Sequence, residues 1–339
     1  MQTFKTVLVG CGGISNAWLK VVTKHPGISL VGLVDLNQDT ALAKAAEYEL
    51  DAQLVFTDLA GCLKQTGAEL VFDCTVPPAH CQVVLIAIDA GCHVLGEKPL
   101  AESMVDAKRM VDTVEKAGVT YGVMQNRRWQ PEGINRVKAV LGSGAIGTPH
   151  TLHSDFFIGA HFGGFRDQMK HVLLLDMAIH SFDQARYLID ALPEKVWASD
   201  WNPPGSWYGD GASAVAFFEH AGGVRSSYRG SWCAEGLPTS WQCRWRIIGD
   251  QGTLLWDGED GITAERVEGA EGFIRKTVPV EIPAPDANAK VGHEAAIHDF
   301  ITHLQQGTPP ATPGCDNIHS LAMVLAAVAS AESGQTVAL

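Results

Sequence analysis

Hydrophobic and polar positions follow two rhythms along the chain. In the first 120 residues, short continuous apolar runs (Lys5–Val9, Ile28–Val34, Val55–Phe56, Leu70–Phe72 and His93–Leu95) are separated by stretches of helical spacing. One such stretch is marked by Ile14, Ala17, Trp18 and Val21, and another runs from Asp39 to Tyr48. Strands apolar on both sides, alternating with helices, predict a parallel sheet covered on both faces, a doubly wound α/β domain.

From about Gly147 to Ile282 the period shortens to two. Trp241–Ile247 alternates, with Trp241, Cys243, Trp245 and Ile247 on one face and Gln242, Arg244 and Arg246 on the other. Ala212–Phe218 and Val224–Trp232 read as further strands with a turn at Ala221-Gly222-Gly223, so a large, mostly antiparallel open sheet is expected. One face of such a sheet is often covered by a neighbouring subunit, as a homodimer or homotetramer. Leu173–Ile189 reads as one mostly apolar helix. His293–Gln306 and Asn317–Ser333 return to helix, and the stripe Ile318, Leu321, Ala322, Leu325 and Val328 predicts packing back onto the first domain. The longest apolar helical run, Leu321–Ala331, falls short of the roughly 20 residues that span a bilayer.

Composition narrows the function classes. At 339 residues the chain suits two domains, read as 1–122 and 123–339 with the helices of about 293–333 folding back. A formal net charge of −13 repels phosphate backbones, which argues against nucleic acid as a partner. Met1–Thr6 runs straight into the first strand and leaves no room for a signal peptide. Eight cysteines without a CxxC pair read as reduced thiols in a cytoplasmic protein away from membranes.

The chemistry-bearing residues lie where such a sheet binds ligands. Gly10-Cys11-Gly12-Gly13-Ile14-Ser15 is the first strand-to-helix turn and fits G-x-G-x-x-G/A with Ser15 in the last place. Gly10 permits the turn, and Gly12 lets the backbone approach a pyrophosphate at the helix N-terminus. Asp35 ends the second strand, 25 positions after Gly10, where a carboxylate accepts both adenosine ribose hydroxyls. Leu36–Thr40 holds no Arg or Lys to neutralise a 2′-phosphate, which favours NAD over NADP. Thr75, Pro77 and His80 follow the fourth strand, and Glu97-Lys98-Pro99 follows the fifth; with Gly13 and Ile14 they complete the expected cofactor contacts. Asp176 and His180, four apart and therefore on one helix face, suggest a proton-transfer pair, with a helix-stabilising ion pair as the plain alternative. Asn126, Arg127, His161 and Arg166 are the further candidates for contacting a substrate. No metal site is expected: His293, Glu294 and His298 fail the zinc-protease spacing, and His150 and His153 lack further ligands nearby.

Taken together, the Gly10–Ser15 turn, Asp35, Thr75–His80, Glu97-Lys98-Pro99, the Asp176/His180 helix and Ser320-Leu321-Ala322 resemble the glucose–fructose oxidoreductase / inositol dehydrogenase / rhizopine catabolism (Gfo/Idh/MocA) family along essentially the whole chain. The resemblance implies a Rossmann domain followed by an open-sheet α/β domain, NAD or NADP, dimers or tetramers, and sugar, polyol or amino-sugar substrates. It also implies Lys98, Asp176 and His180 as the catalytic trio. One departure bears on pocket shape: where many members have glycines around the Asp, this chain has His171-Val172-Leu173 and Met177-Ala178. The expected activity is therefore NAD-dependent oxidation of a carbohydrate hydroxyl. A redox lyase or glycosidase using NAD transiently, and a non-catalytic sugar or NAD sensor, are the alternatives.

Overall fold

The computed structural model describes residues 2–129 and 133–339 and divides into two compact units. Unit 1 comprises Met1–Asn126 with His293–Leu321, and unit 2 comprises Arg127–Gly292 with Ala322–Leu339.

Unit 1 begins with five strand–helix repeats: β1 (Phe4–Val9), α1 (Ser15–Val22), β2 (Ile28–Val34), α2 (Gln38–Glu47), β3 (Val55–Phe56), α3 (Leu59–Thr66), β4 (Leu70–Asp73), α4 (Pro77–Asp89), β5 (His93–Gly96) and α5 (Met104–Ala117), then β6 (Tyr121–Val123). The strands pair in parallel in the order β3-β2-β1-β4-β5-β6. Val7, Leu8, Leu70, Val71, Phe72 and Val94 are wholly buried, as expected of strands covered on both faces. Local chemistry sets the helix ends. Asn37, Asp58 and Ser103 cap the starts of α2, α3 and α5 through their side-chain oxygens, and Gly67 and Gly118 close α3 and α5 in the left-handed conformation. The strand order reverses between β1 and β4, and a crevice at their carboxyl ends is where such sheets take ligands.

Unit 2 contains α6 (Gly133–Gly142), β7 (Pro149–Phe157), α7 (Ile179–Ile189) and the strands β8 (Pro193–Trp201), β9 (Ser213–His220), β10 (Arg225–Ser231), β11 (Arg244–Gly249), β12 (Gly252–Trp256), β13 (Ile262–Val267) and β14 (Thr277–Pro279). With the terminal β15 (Val337–Ala338) the strands form one sheet in the order β14-β13-β12-β11-β7-β10-β9-β8-β15, in which, among the described residues, β7 and β10 alone pair in parallel. Phe182 of α7 packs edge-on against Phe218 and Tyr228, fixing the helix to the inner sheet face.

Three expectations are corrected. Leu173–Ile189 is not one regular helix: Leu173–Ala178 is a π-helical turn that runs into α7. The alternation through Trp241–Ile247 breaks at Cys243, whose φ is +65°, so β11 starts at Arg244, Gln242 is buried and Trp241 is 41% exposed. The last helices are α8 (Gly292–Gln306) and α9 (Gly314–Ser333), and α9 is 20 residues long, well beyond its apolar run. By length and composition α9 is able to span a membrane, yet half of its most apolar stretch is buried inside the protein, where Asn317, Ser320 and Ser330 are fully enclosed.

Candidate functional site

In unit 1 the glycine turn is shaped by its neighbours. Gly10 has φ +89°, and a Cβ there would come 2.7 Å from the backbone of Cys74, so the position admits only glycine. At Gly12 and Gly13 an added Cβ meets nothing within 4 Å, leaving the outside of the turn open to a ligand. Ser15 donates to Gly12 O at 2.6 Å and is itself buried, which explains why a small hydroxyl stands in the last place of the motif. Ile14, the residue before α1, is 41% exposed on the same turn.

Asp35 follows β2 with its carboxylate fixed by two backbone amides: Cys11 N donates to Oδ2 and Asn37 N to Oδ1, both at 2.9 Å. Beside it lies a cavity of about 380 Å³ whose lining includes Gly10, Gly12, Asp35, Leu36, Thr75 and Val76. The residues present thus fit a dinucleotide: an open amide turn, a preset carboxylate and an apolar-walled cavity converge at the strand ends.

Beneath this surface lies a layer of buried polar residues. Asp73, the last residue of β4, is completely buried and accepts hydrogen bonds from Thr75 N at 3.0 Å and Thr75 Oγ1 at 2.6 Å. Burial pushes its carboxyl above the usual range, and the nearby His80 opposes that shift. His80 is 1% exposed, with its ring nitrogens 2.8 Å from Pro99 O and 3.1 Å from Thr75 O. It therefore ties the loop after β4 to the turn after β5, and Thr75, not His80, borders the cavity. Pro77 opens α4. Glu97 accepts from Trp18 Nε1 at 2.7 Å and lies 3.4 Å from His293 Nε2, and its own Oε2 accepts from Lys98 N at 3.3 Å. Burial alone raises its pKa, but the His293 and Trp18 contacts outweigh that and hold the carboxyl below its ordinary value. Asn126 Nδ2 sits 3.3 Å from His293 Nδ1, so the amide donates there and the Nε2–H faces Glu97. Glu97 is thus a hub joining the helix behind the glycine turn to the foot of Lys98, whose peptide bond to Pro99 is cis.

In unit 2, Asp176 lies in the π-helical turn and accepts from Arg166 Nε at 2.8 Å and Nη2 at 3.4 Å. The four-residue spacing to His180 crosses a change of helical pitch, because π-helical hydrogen bonds span five residues. His180 is buried in the first turn of α7. The Arg166 guanidinium lies 4.9 Å from the Phe162 ring and 4.8 Å from that of Phe165. His161 stacks on Trp207 at 3.7 Å and approaches Glu235 at 3.1 Å, on a well-exposed rim. Of the expected catalytic residues, Lys98 belongs to unit 1, and Asp176 and His180 to unit 2. Trp18, Asp73, Trp241 and His293 each contact one of the expected site residues (Glu97, Thr75, Arg127 and Glu97 in turn) without being among them. Asp73 alone carries a signal, an acidic residue at a strand end like Asp35.

Residues 4–125 match the model of the oxidoreductase family with an NAD-binding Rossmann fold, and residues 134–255 match the GFO/IDH/MocA C-terminal domain. The chain is 29% identical over 356 residues to the D-apiose dehydrogenase of Paraburkholderia graminis, covering 100% of this chain and 90% of that one. It is 23% identical over 337 residues to the myo-inositol 2-dehydrogenase of Thermotoga maritima, covering 98% and 97%. Among solved structures, an oxidoreductase from Agrobacterium radiobacter in complex with NAD+, L-tartaric acid and magnesium shares the fold, with a TM-score of 0.86, 24% identity, and coverage of 99% and 98%.

Proposed function

The chain belongs to the GFO/IDH/MocA oxidoreductase family, and from that premise we propose that it is an NAD-dependent dehydrogenase oxidising a hydroxyl of a sugar, polyol or related carbohydrate. The observation that carries this reading is the open turn at Gly12 and Gly13 with the Asp35 carboxylate set behind it.

NAD bound there supplies the hydride acceptor. Backbone amides at Gly12 and Gly13 would hold its pyrophosphate, and Asp35 would accept the ribose hydroxyls and repel a 2′-phosphate. Oxidation removes a hydride from the carbinol carbon and a proton from its oxygen. In this proposal His180 takes the proton, and Asp176, oriented by Arg166, stabilises the imidazolium. Lys98, held at its base by the Glu97 hub, hydrogen-bonds the same oxygen and stabilises the developing alkoxide. The remaining substrate contacts fall to Asn126, Arg127, His161 and Arg166. All eight cysteines are free thiols, which supports a cytoplasmic location.

The test is His180→Ala, assayed by absorbance of reduced cofactor over a panel of sugars and polyols. General base catalysis supplies about 10²–10⁴-fold, so kcat is expected to fall by that factor while NAD binding persists. An unchanged rate removes His180 from the mechanism. A shifted pH–rate profile in Lys98→Met makes Lys98 the proton acceptor instead. Stoichiometric formation of reduced cofactor separates this reading from a lyase that returns the hydride within one turnover.

A further inference from the structure

Asn126, Arg127 and Arg128 form a single 3-10 turn, and its two arginines have different surroundings. Arg128 is buried in a two-point pair with Asp183, Nε–Oδ2 2.7 Å and Nη2–Oδ1 2.8 Å. Arg127 is half-buried, and among the described residues no carboxylate lies within ion-pair distance of it. Its side chain makes one hydrogen bond, from Nη1 to Trp241 O at 2.7 Å, and its guanidinium lies 5.6 Å from the Trp241 ring. Burial lowers its pKa to about 10, which still leaves it charged at neutral pH. Neighbouring Cys243 adds no negative charge there, because burial pushes its thiol up to about 12. A partly desolvated guanidinium with most of its five donors unused is costly unless something anionic meets it.

Trp241 packs against Trp232 and Phe162 at 5.7 and 6.4 Å, and Phe162 leads on to Arg166 and Asp176. One aromatic wall therefore connects Arg127 to the Arg166–Asp176 pair. Arg166 is paired with Asp176, whereas Asp176 and Glu259 act on Arg127 only from beyond ion-pair distance, so among the described residues Arg127 is the cation of this wall without a direct carboxylate contact. A monocarboxylate matches that charge, whereas a phosphate monoester, at about −1.5 to −2, exceeds it. The exposed face of Trp241 suits the C–H face of a sugar ring.

We propose that Arg127 anchors a carboxylate of the substrate, so that the substrates are sugar acids rather than neutral sugars or sugar phosphates. This rests on the dehydrogenase reading, and the experiment separates the two. Rates of NAD reduction are compared for D-gluconate and D-galacturonate, for D-glucose and D-galactose, and for D-glucose 6-phosphate. Charge-assisted hydrogen bonds of this kind give the acids an expected kcat/KM advantage of about 10- to 100-fold over the neutral sugars. Arg127→Met is expected to lower the acid-to-neutral ratio about tenfold or more, and Arg127→Lys to restore part of it. Calorimetry of D-gluconate binding to the NADH-loaded protein gives an activity-independent readout, expected to weaken in Arg127→Met with NADH affinity unchanged. Neutral sugars used as well as the acids, the 6-phosphate preferred, or equal losses on all substrates in Arg127→Met overturn the carboxylate site and leave the dehydrogenase reading standing. No oxidation of any compound, with gluconate binding that depends on Arg127, upholds the carboxylate site and overturns the dehydrogenase reading. Neither oxidation nor gluconate binding overturns both.

Discussion

At the scale of single residues, two glycines in one turn have separable roles. Gly10 is required by the protein itself: its left-handed φ and the 2.7 Å approach to Cys74 leave no room for a side chain. At Gly12 the protein itself makes no such demand, since a methyl there touches nothing in it. Gly10→Ala is expected to cost about 1–3 kcal/mol of stability along with NAD binding. Gly12→Ala is expected to stay within about 0.5 kcal/mol of the parent while NAD affinity falls at least tenfold. Thermal melts paired with NAD titrations check this, and a Gly12→Ala protein that binds NAD like the parent removes the turn from the cofactor site. The same turn shows why some site residues are legible in sequence and others are not. Gly10, Gly12 and Asp35 follow from position alone, because strand ends in a doubly wound sheet have fixed duties. Trp18 and His293 lie 79 and 196 positions from the Glu97 they contact, so no local pattern joins them.

At the scale of elements, legibility follows burial. Apart from the exposed Lys5 of β1, the strands β1, β4 and β5 are mostly buried and so read as short apolar runs, and their places in the sheet follow from the alternation with helices. Leu173–Ala178 is equally apolar, but apolar spacing does not distinguish a π-helical turn from an α-helical one, and the pitch change at Asp176 passes unseen. The break at Cys243 is hidden for a related reason, since a left-handed cysteine has no compositional mark. What fixes α7 once formed is the buried Arg128–Asp183 pair, which ties it to the turn after β6. Removing one partner of such a pair costs about 3–5 kcal/mol. Arg186 stands 3.9 Å from Asp183 and partly compensates it, so Arg128→Met is expected near the lower limit, about 3 kcal/mol. Urea unfolding followed by tryptophan fluorescence measures it, with the Arg128→Met/Asp183→Leu double variant expected to recover much of the loss. A cost below about 1 kcal/mol in Arg128→Met contradicts the assigned role.

At the scale of the whole molecule, the nine-stranded sheet of unit 2 has an inner face filled by the core and an outer face with unusual residues for solvent. Trp197, Trp201, Phe217 and Leu255 are each more than 40% exposed, and Trp197 stands directly opposite Phe217 in the β8–β9 register. Exposed aromatics in adjoining strands mark an association surface more often than a solvated one. The net charge of −13 opposes contact between copies, yet this face carries Arg225, Arg229 and Arg246 beside Asp155 and Glu219, so the repulsion is not local to it. Charges elsewhere are screened beyond about 8 Å at physiological ionic strength. We propose a second copy of the same face, related by a two-fold axis, as the partner that satisfies these conditions. Light scattering after gel filtration is therefore expected to give a multiple of the 36.3 kDa chain mass. Trp197→Arg combined with Phe217→Arg places four new cations in each two-fold contact and is expected to yield monomers that still bind NAD. A double variant that keeps the parent's mass assigns the contact to another surface, and monomers in the parent leave the aromatic face without the partner argued for it.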